Sequence, residues 1–241
     1  MTVLDRDQAR LFDDELESEA DNEGGKVDLD SVVLGLNYPV PDFMRDIICH
    51  FSPERRPIKV LDPMVSNGLF YRRLMGYPEG NGMSFLLSDV RETRATQRIG
   101  DVFNVMDVWS DSLPVDVLVI DPPYDIAYAG ACVDKRASRY GLDSIMDYSK
   151  IERLFKFLNG ICQQILNPDG TLIVKIQDRH KDGKFIAYHI AIPSWLTKLE
   201  LLDILIYRYF YYRKPWKSRY AHNSHSYYLI FKLKKDERLV F

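Results

Sequence analysis

No stretch of this 241-residue chain approaches the run of about eighteen apolar residues that a membrane-crossing helix needs. The N-terminus has no basic segment leading into an apolar one, so no signal peptide is expected. Cysteine is scarce. Cys49, Cys132 and Cys162 are odd in number and far apart, which argues against a disulfide framework or a zinc site and fits the cytoplasm. The histidines lack metal-ligand spacing, so no metal is expected. His50 at a helix end and His180 in a charged loop read as surface residues, and His189 as helix packing. There is no internal repeat. The net charge of -3 gives no sign of a polyanion partner by itself.

The chain does have the length for one α/β domain with a full core, and its 46% hydrophobic and 28% charged residues are those of an ordinary globular protein. The small net charge hides an asymmetry. Residues 1–30 carry 11 acidic and 3 basic side chains, whereas residues 201–241 carry 9 basic and 3 acidic ones. The first stretch reads as an acidic tail preceding a domain over 31–241. The basic end is a candidate phosphate footprint.

Strand and helix patterns alternate through the domain. Pro41–Phe51 places Phe43, Met44, Ile47, Ile48 and Phe51 on one helical face. Ile58–Leu61 and Ser84–Ser88 read as strands, the second ending at Asp89, and Gly68–Met75 reads as a helix. Val115–Ile120 is apolar enough to be a central strand buried on both faces. Asp147–Leu166 has apolar residues at helical spacing and stops at the turn Asn167-Pro168-Asp169-Gly170. Thr171–Ile176 is another buried strand, and Tyr188–Leu199 a helix weakened by Pro193. Leu202–Tyr212 and Ser226–Leu233 read as an antiparallel strand pair. The alternation predicts a mostly parallel sheet with helices on both faces, and such sheets bind ligands at the carboxyl ends of their strands. Asp62–Gly68, Asp89 and Asp121–Tyr124 fall at such ends.

The segment richest in chemistry is Asp121-Pro122-Pro123-Tyr124, directly after Val115–Ile120. Consecutive prolines hold an extended backbone without N–H donors, so their carbonyls are left to accept. A carboxylate adds another acceptor, and Tyr124 adds a flat face. That set suits an aromatic amine: its NH2 donates to Asp121 and a proline carbonyl while its ring stacks on Tyr124. The plain alternative is a rigid turn at a strand end.

With these residues the chain resembles the amino-methyltransferases that use S-adenosylmethionine to modify adenine N6, cytosine N4 or guanine N2, over roughly residues 37–235. The resemblance implies a class I methyltransferase (Rossmann-like) fold. Asn37-Tyr38-Pro39-Val40-Pro41-Asp42-Phe43 resembles the family's opening motif, which places Tyr38 and Pro39 along the methionine end of the cofactor. Val60–Phe70 resembles the cofactor loop, with Asp62, Pro63, Ser66 and Gly68 as binding residues. Asp89 matches the acid that binds the ribose hydroxyls, and Asp101 the acid at the adenine amino group. Asp121, Pro122, Pro123 and Tyr124 match the catalytic loop, and Lys214-Pro215 the closing loop. Ser66 stands where the family has its first glycine and Leu69 where it has threonine, while Gly68 is retained. The expectation is that Asn67 supplies left-handed backbone there.

The implied reaction is direct displacement, with the amine nitrogen attacking the cofactor's methyl carbon. An aspartate opening the loop points to adenine in DNA. In a duplex the base must leave the stack, at a cost of a few kcal/mol. Stacking on Tyr124 returns about 1–3 kcal/mol of that. Base N-methylation of RNA, at guanine N2 or adenine N6, is the alternative, and a non-catalytic methyltransferase-like subunit that binds nucleic acid is another. Arg213, Lys214, Trp216, Lys217 and Arg219 combine cations with an aromatic and are the candidate nucleic-acid contacts. No target-recognition domain is visible, so a homodimer mate or a specificity subunit is a candidate partner.

Overall fold

The computed structural model describes residues 33–34, 39–54, 56–66, 68–71, 74, 82–123, 147–181, 184–208 and 225–235. The acidic tail lies outside them.

Among the described residues, eight strands form one sheet: β1 (Val33–Leu34), β2 (Ile58–Asp62), β3 (Met83–Asp89), β4 (Arg98–Ile99), β5 (Val115–Ile120), β6 (Leu166–Ile176), β9 (Leu199–Arg208) and β10 (His225–Leu233). Between β6 and β9 runs a separate hairpin of β7 (Arg179–Lys181) and β8 (Lys184–Ile186). The spatial order is β1-β9-β10-β6-β5-β2-β3-β4. Pairing is parallel from β4 through β6, and β10 runs antiparallel to both β6 and β9. This is the mostly parallel sheet expected above, including its C-terminal antiparallel pair.

Helices cover both faces. Among residues of α1 (Val40–Phe51), Phe43, Met44, Ile47 and Ile48 are buried, and Phe43 meets Tyr228 of β10 edge-on at 4.9 Å. The other face is covered by α3 (Tyr148–Ile165) and α4 (Tyr188–Trp195), together with Trp109, which follows the single-turn α2 (Val105–Val108). In α3 the residues Ile151, Leu154, Phe155, Leu158, Cys162 and Ile165 line one buried stripe, packed with Leu118, Ile120, Leu172 and Val174 of the sheet. Asp147 caps α3 by accepting from the Lys150 N–H at 2.9 Å. No described helix is long and apolar enough to cross a membrane.

Two expectations need correction. The described residues of the expected helix Gly68–Met75 form only a 3₁₀ turn, Leu69–Tyr71, because the chain leaves the sheet through left-handed backbone. The turn at Asn167–Gly170 does not separate helix from strand. β6 begins at Leu166, and its pairing with β5 jumps from Val115↔Leu166 to Val117↔Thr171, so the four residues form a bulge. Asn167 anchors it by donating its side-chain amide to Asp116 Oδ1 at 2.8 Å.

Strand β2 lies between β3 and β5. The chain therefore winds outward from β2 to β3 and β4, then returns to start β5 on the other side. That reversal is a topological switch point, which opens a crevice at the carboxyl ends of β2 and β5. Asp62 is the last residue of β2, and Asp121 directly follows β5.

Candidate active site

The loop after β2 is held by side-chain acceptors. Asp62 is almost completely buried and accepts from the Met64 N–H at 2.8 Å and from the Tyr71 hydroxyl at 2.9 Å. Pro63 is buried beside it. On the neighbouring strand, at the end of β3, Asp89 Oδ2 accepts from the Ser66 N–H at 2.9 Å, and its Oδ1 accepts from the Arg91 N–H at 3.2 Å. Asp89 thus ties the β2 loop to the end of β3.

Ser66 itself carries the left-handed backbone, with φ of 52°, and Gly68 follows at 71°. Asn67, expected to supply that conformation, lies outside the described residues. At Gly68 a side chain is excluded twice, since a Cβ there would sit 2.5 Å from the Ala95 Cβ. Serine in this region costs about 1–2 kcal/mol that glycine would not. Ser66→Gly is therefore expected to stabilise the protein by about 1 kcal/mol, or roughly 2–4 °C in melting temperature at this size. The Asp89 contact survives, because it uses the backbone N–H. Thermal unfolding checks this; a lower melting temperature would mean that the serine side chain makes a necessary contact.

Burial pushes the Asp62 carboxyl up to about 7, against the hydrogen bonds from Met64 and Tyr71, with the Asp121 and Asp89 carboxylates adding to the rise. Burial and the neighbouring Asp62 push the Tyr71 hydroxyl well up, so it stays protonated and able to donate. In the unfolded chain Asp62 would titrate near 3.8. The native state therefore holds a proton that the unfolded state has lost, and stability falls as pH rises from about 4 to about 7. Asparagine at 62 can accept from Met64 and donate to Tyr71 without a charge. Asp62→Asn is thus expected to flatten this pH dependence and raise the melting temperature at pH 8. A parent and variant with parallel pH profiles would show that Asp62 is not the responsible group.

At the end of β5, Asp121 and Pro123 are partly exposed and Pro122 is buried. The Lys175 ammonium of β6 donates to Asp121 Oδ2 at 2.7 Å. Lys175 also lies over the Phe70 ring, 4.9 Å from its centroid. Three carboxylates thus meet at the switch point with one nearby cation, Lys175, among the described contacts. Negative charge therefore exceeds positive at the carboxyl ends of these strands, which favours a cationic ligand there.

Two other expected residues, Pro39 and Asp101, fall among the described ones. Pro39 is the N-cap of α1. Asp101 is exposed and caps the 3₁₀ turn Val102–Asn104 through the Phe103 N–H at 2.9 Å, the local role such an aspartate often has. Tyr38, Tyr124, Arg213, Lys214, Trp216, Lys217 and Arg219 lie outside the described residues.

Some residues were not singled out from sequence. Lys175 had a signal, as the one charge in the buried run Leu172–Ile176. Tyr71 had none. His189 and Asp178 were separated by a hairpin that the sequence reading did not contain. His189 is not simple helix packing: its Nδ1 lies 2.5 Å from Asp178 Oδ2, and its ring stacks on Tyr227 at 4.2 Å. His180 lies on β7 and not in a loop.

No family model matches the chain, and no curated protein does either. Among solved structures, it resembles a TehB-like SAM-dependent methyltransferase from Corynebacterium glutamicum, with 13% identity, a TM-score of 0.46 and coverage of 95% of this chain and 97% of that one. A type I restriction-modification methyltransferase subunit from Streptococcus thermophilus shares 12% identity at a TM-score of 0.48, over 85% of this chain and 46% of that one. TrmN from Thermus thermophilus shares 12% at a TM-score of 0.43, over 79% and 48%. The chain spans about half the length of the last two. At such identities the likeness is one of general fold.

Proposed function

We propose that this chain is an S-adenosylmethionine-dependent methyltransferase acting on an exocyclic amino group of a nucleic-acid base, with adenine N6 in DNA as the favoured target. The observation that carries the reading is the meeting of Asp62, Asp89 and Asp121 at the switch point, beside a loop with left-handed backbone at Ser66 and Gly68. When bound, S-adenosylmethionine supplies the electrophile, a methyl carbon on a positively charged sulfur. Asp62 and the Ser66–Gly68 loop would hold its methionine end, and Asp89 its ribose hydroxyls. A carboxylate has about four lone-pair sites, so Asp89 retains acceptor capacity beyond its two backbone partners.

Asp121 accepts an N–H of the target amine and accommodates the positive charge that develops on nitrogen. Without N–H groups at Pro122 and Pro123, the loop's backbone offers acceptors to the amine at those positions and no competing donor. Tyr124 stacks on the base, and the cation-rich segment around Lys214 and Lys217 contacts phosphates. A non-catalytic role is disfavoured by the β2 loop, which keeps its left-handed turn and its Asp89 anchor despite serine at 66.

Calorimetric titration with S-adenosylmethionine, followed by transfer of its labelled methyl to unmethylated DNA, tests the reading. Saturable binding and labelled DNA are expected. No cofactor binding would overturn it, and label entering only RNA would move the substrate to the RNA alternative.

A further inference from the structure

From Leu172 to Ile176 strand β6 is apolar and buried between β5 and β10, apart from one partly buried cation, Lys175. Register places Val174 beside Ile120 and Lys175 beside Tyr228. Lys175 is therefore level with Asp121, the first residue beyond β5, and on the same face of the sheet. Its ammonium is 2.7 Å from Asp121 Oδ2, with the two side chains only 14% and 25% exposed. It also rests on the ring of Phe70, in the turn that continues the β2 loop. One side chain so joins the segment assigned to the amine to the segment assigned to the cofactor.

We infer that Lys175 is a positioning residue for methyl transfer: by engaging Asp121 Oδ2 it orients the carboxylate so that Oδ1 faces the target amine. This rests on the functional reading above. Two features make orientation the consequence of the contact. A carboxylate turns about its Cβ–Cγ bond over a broad range when nothing holds one oxygen. Asp121 also stands near the Asp62 carboxyl, which on ionising above about pH 7 would repel an unpaired Asp121. A strand-borne ammonium opposes both effects, since β6 is held on each side by its ladders. Displacing a reacting group by about 1 Å can cost 100-fold in rate.

The test uses the full chain with Lys175→Met, which keeps the length and loses the charge, and Lys175→Arg, which restores a donor. The expected result is a fall in kcat of roughly 10- to 100-fold for Lys175→Met, with the S-adenosylmethionine Kd and the DNA KM within about 2-fold of the parent. Lys175→Arg is expected to recover most of the loss. A variant with a lower melting temperature but an unchanged kcat, assayed where it is folded, would make Lys175 a stabilising residue only and overturn the inference. A raised KM at constant kcat would make it a substrate contact and overturn it equally. If Lys175→Met does not fold, failure of the folded Lys175→Gln to lower kcat would likewise overturn it. Lack of any methyl transfer by the parent would remove the functional reading and this inference together, whereas an active parent with an indifferent Lys175 removes only the inference.

Discussion

Asp121→Ala is expected to lower methyl transfer by at least about 100-fold, and as much as 1,000-fold, while S-adenosylmethionine binds almost as before. The scale is that of removing a preorganised group aimed at charge developing in a transition state. Asp121 sits outside the β2 loop, and its described partner is Lys175 and not a loop N–H. Its removal therefore leaves the Asp62 and Asp89 contacts in place. It also withdraws a charge that raises the Asp62 carboxyl, which disfavours any loss of cofactor affinity through that residue. Steady-state rates and a calorimetric titration on the same preparation check both halves. Turnover equal to the parent's would sink the role given to Asp121, and a parallel loss of cofactor binding would make it part of the cofactor site.

Asp89→Ala should weaken S-adenosylmethionine by roughly 1–3 kcal/mol, the scale of hydrogen bonds to a charged group. Two losses combine here. The acceptor proposed for the ribose disappears, and so does the bond from the Ser66 N–H that holds a left-handed loop. Asp89→Asn separates them. Its one amide oxygen can still accept from Ser66, but its NH2 would face the Arg91 N–H that now donates to Oδ1. Asparagine is therefore expected to fall between parent and alanine in affinity. An unchanged Kd in both variants would show that the ribose is held elsewhere.

How far the sequence led depends on what each residue's role rests on. The strand Val115–Ile120 was legible to the residue, because a six-residue run with five apolar residues, buried on both faces, has few other fates. Asp89 was legible as the polar end of a strand. The helix expected from Gly68 was not realised as read, because apolar spacing carries no information about left-handed backbone at Ser66. Asn167–Gly170 has the composition of a turn and does bend the chain, yet it does so as a bulge within pairing to β5, a tertiary fact. Lys175 was hidden for a related reason. Its meaning comes from lying beside Asp121, 54 residues earlier in the chain, and only strand register puts them together.

The proposed reaction is methylation of an amino nitrogen of a nucleic-acid base. It is tested most directly by incubating the purified chain with S-adenosylmethionine bearing an isotopically labelled methyl and unmethylated DNA or RNA, then digesting each polymer to nucleosides for mass spectrometry. Labelled N6-methyldeoxyadenosine is expected from the DNA, and is expected to be lost when Asp121→Ala replaces the parent. Label on a ring carbon, or no labelled nucleoside from either polymer despite cofactor binding, would contradict it.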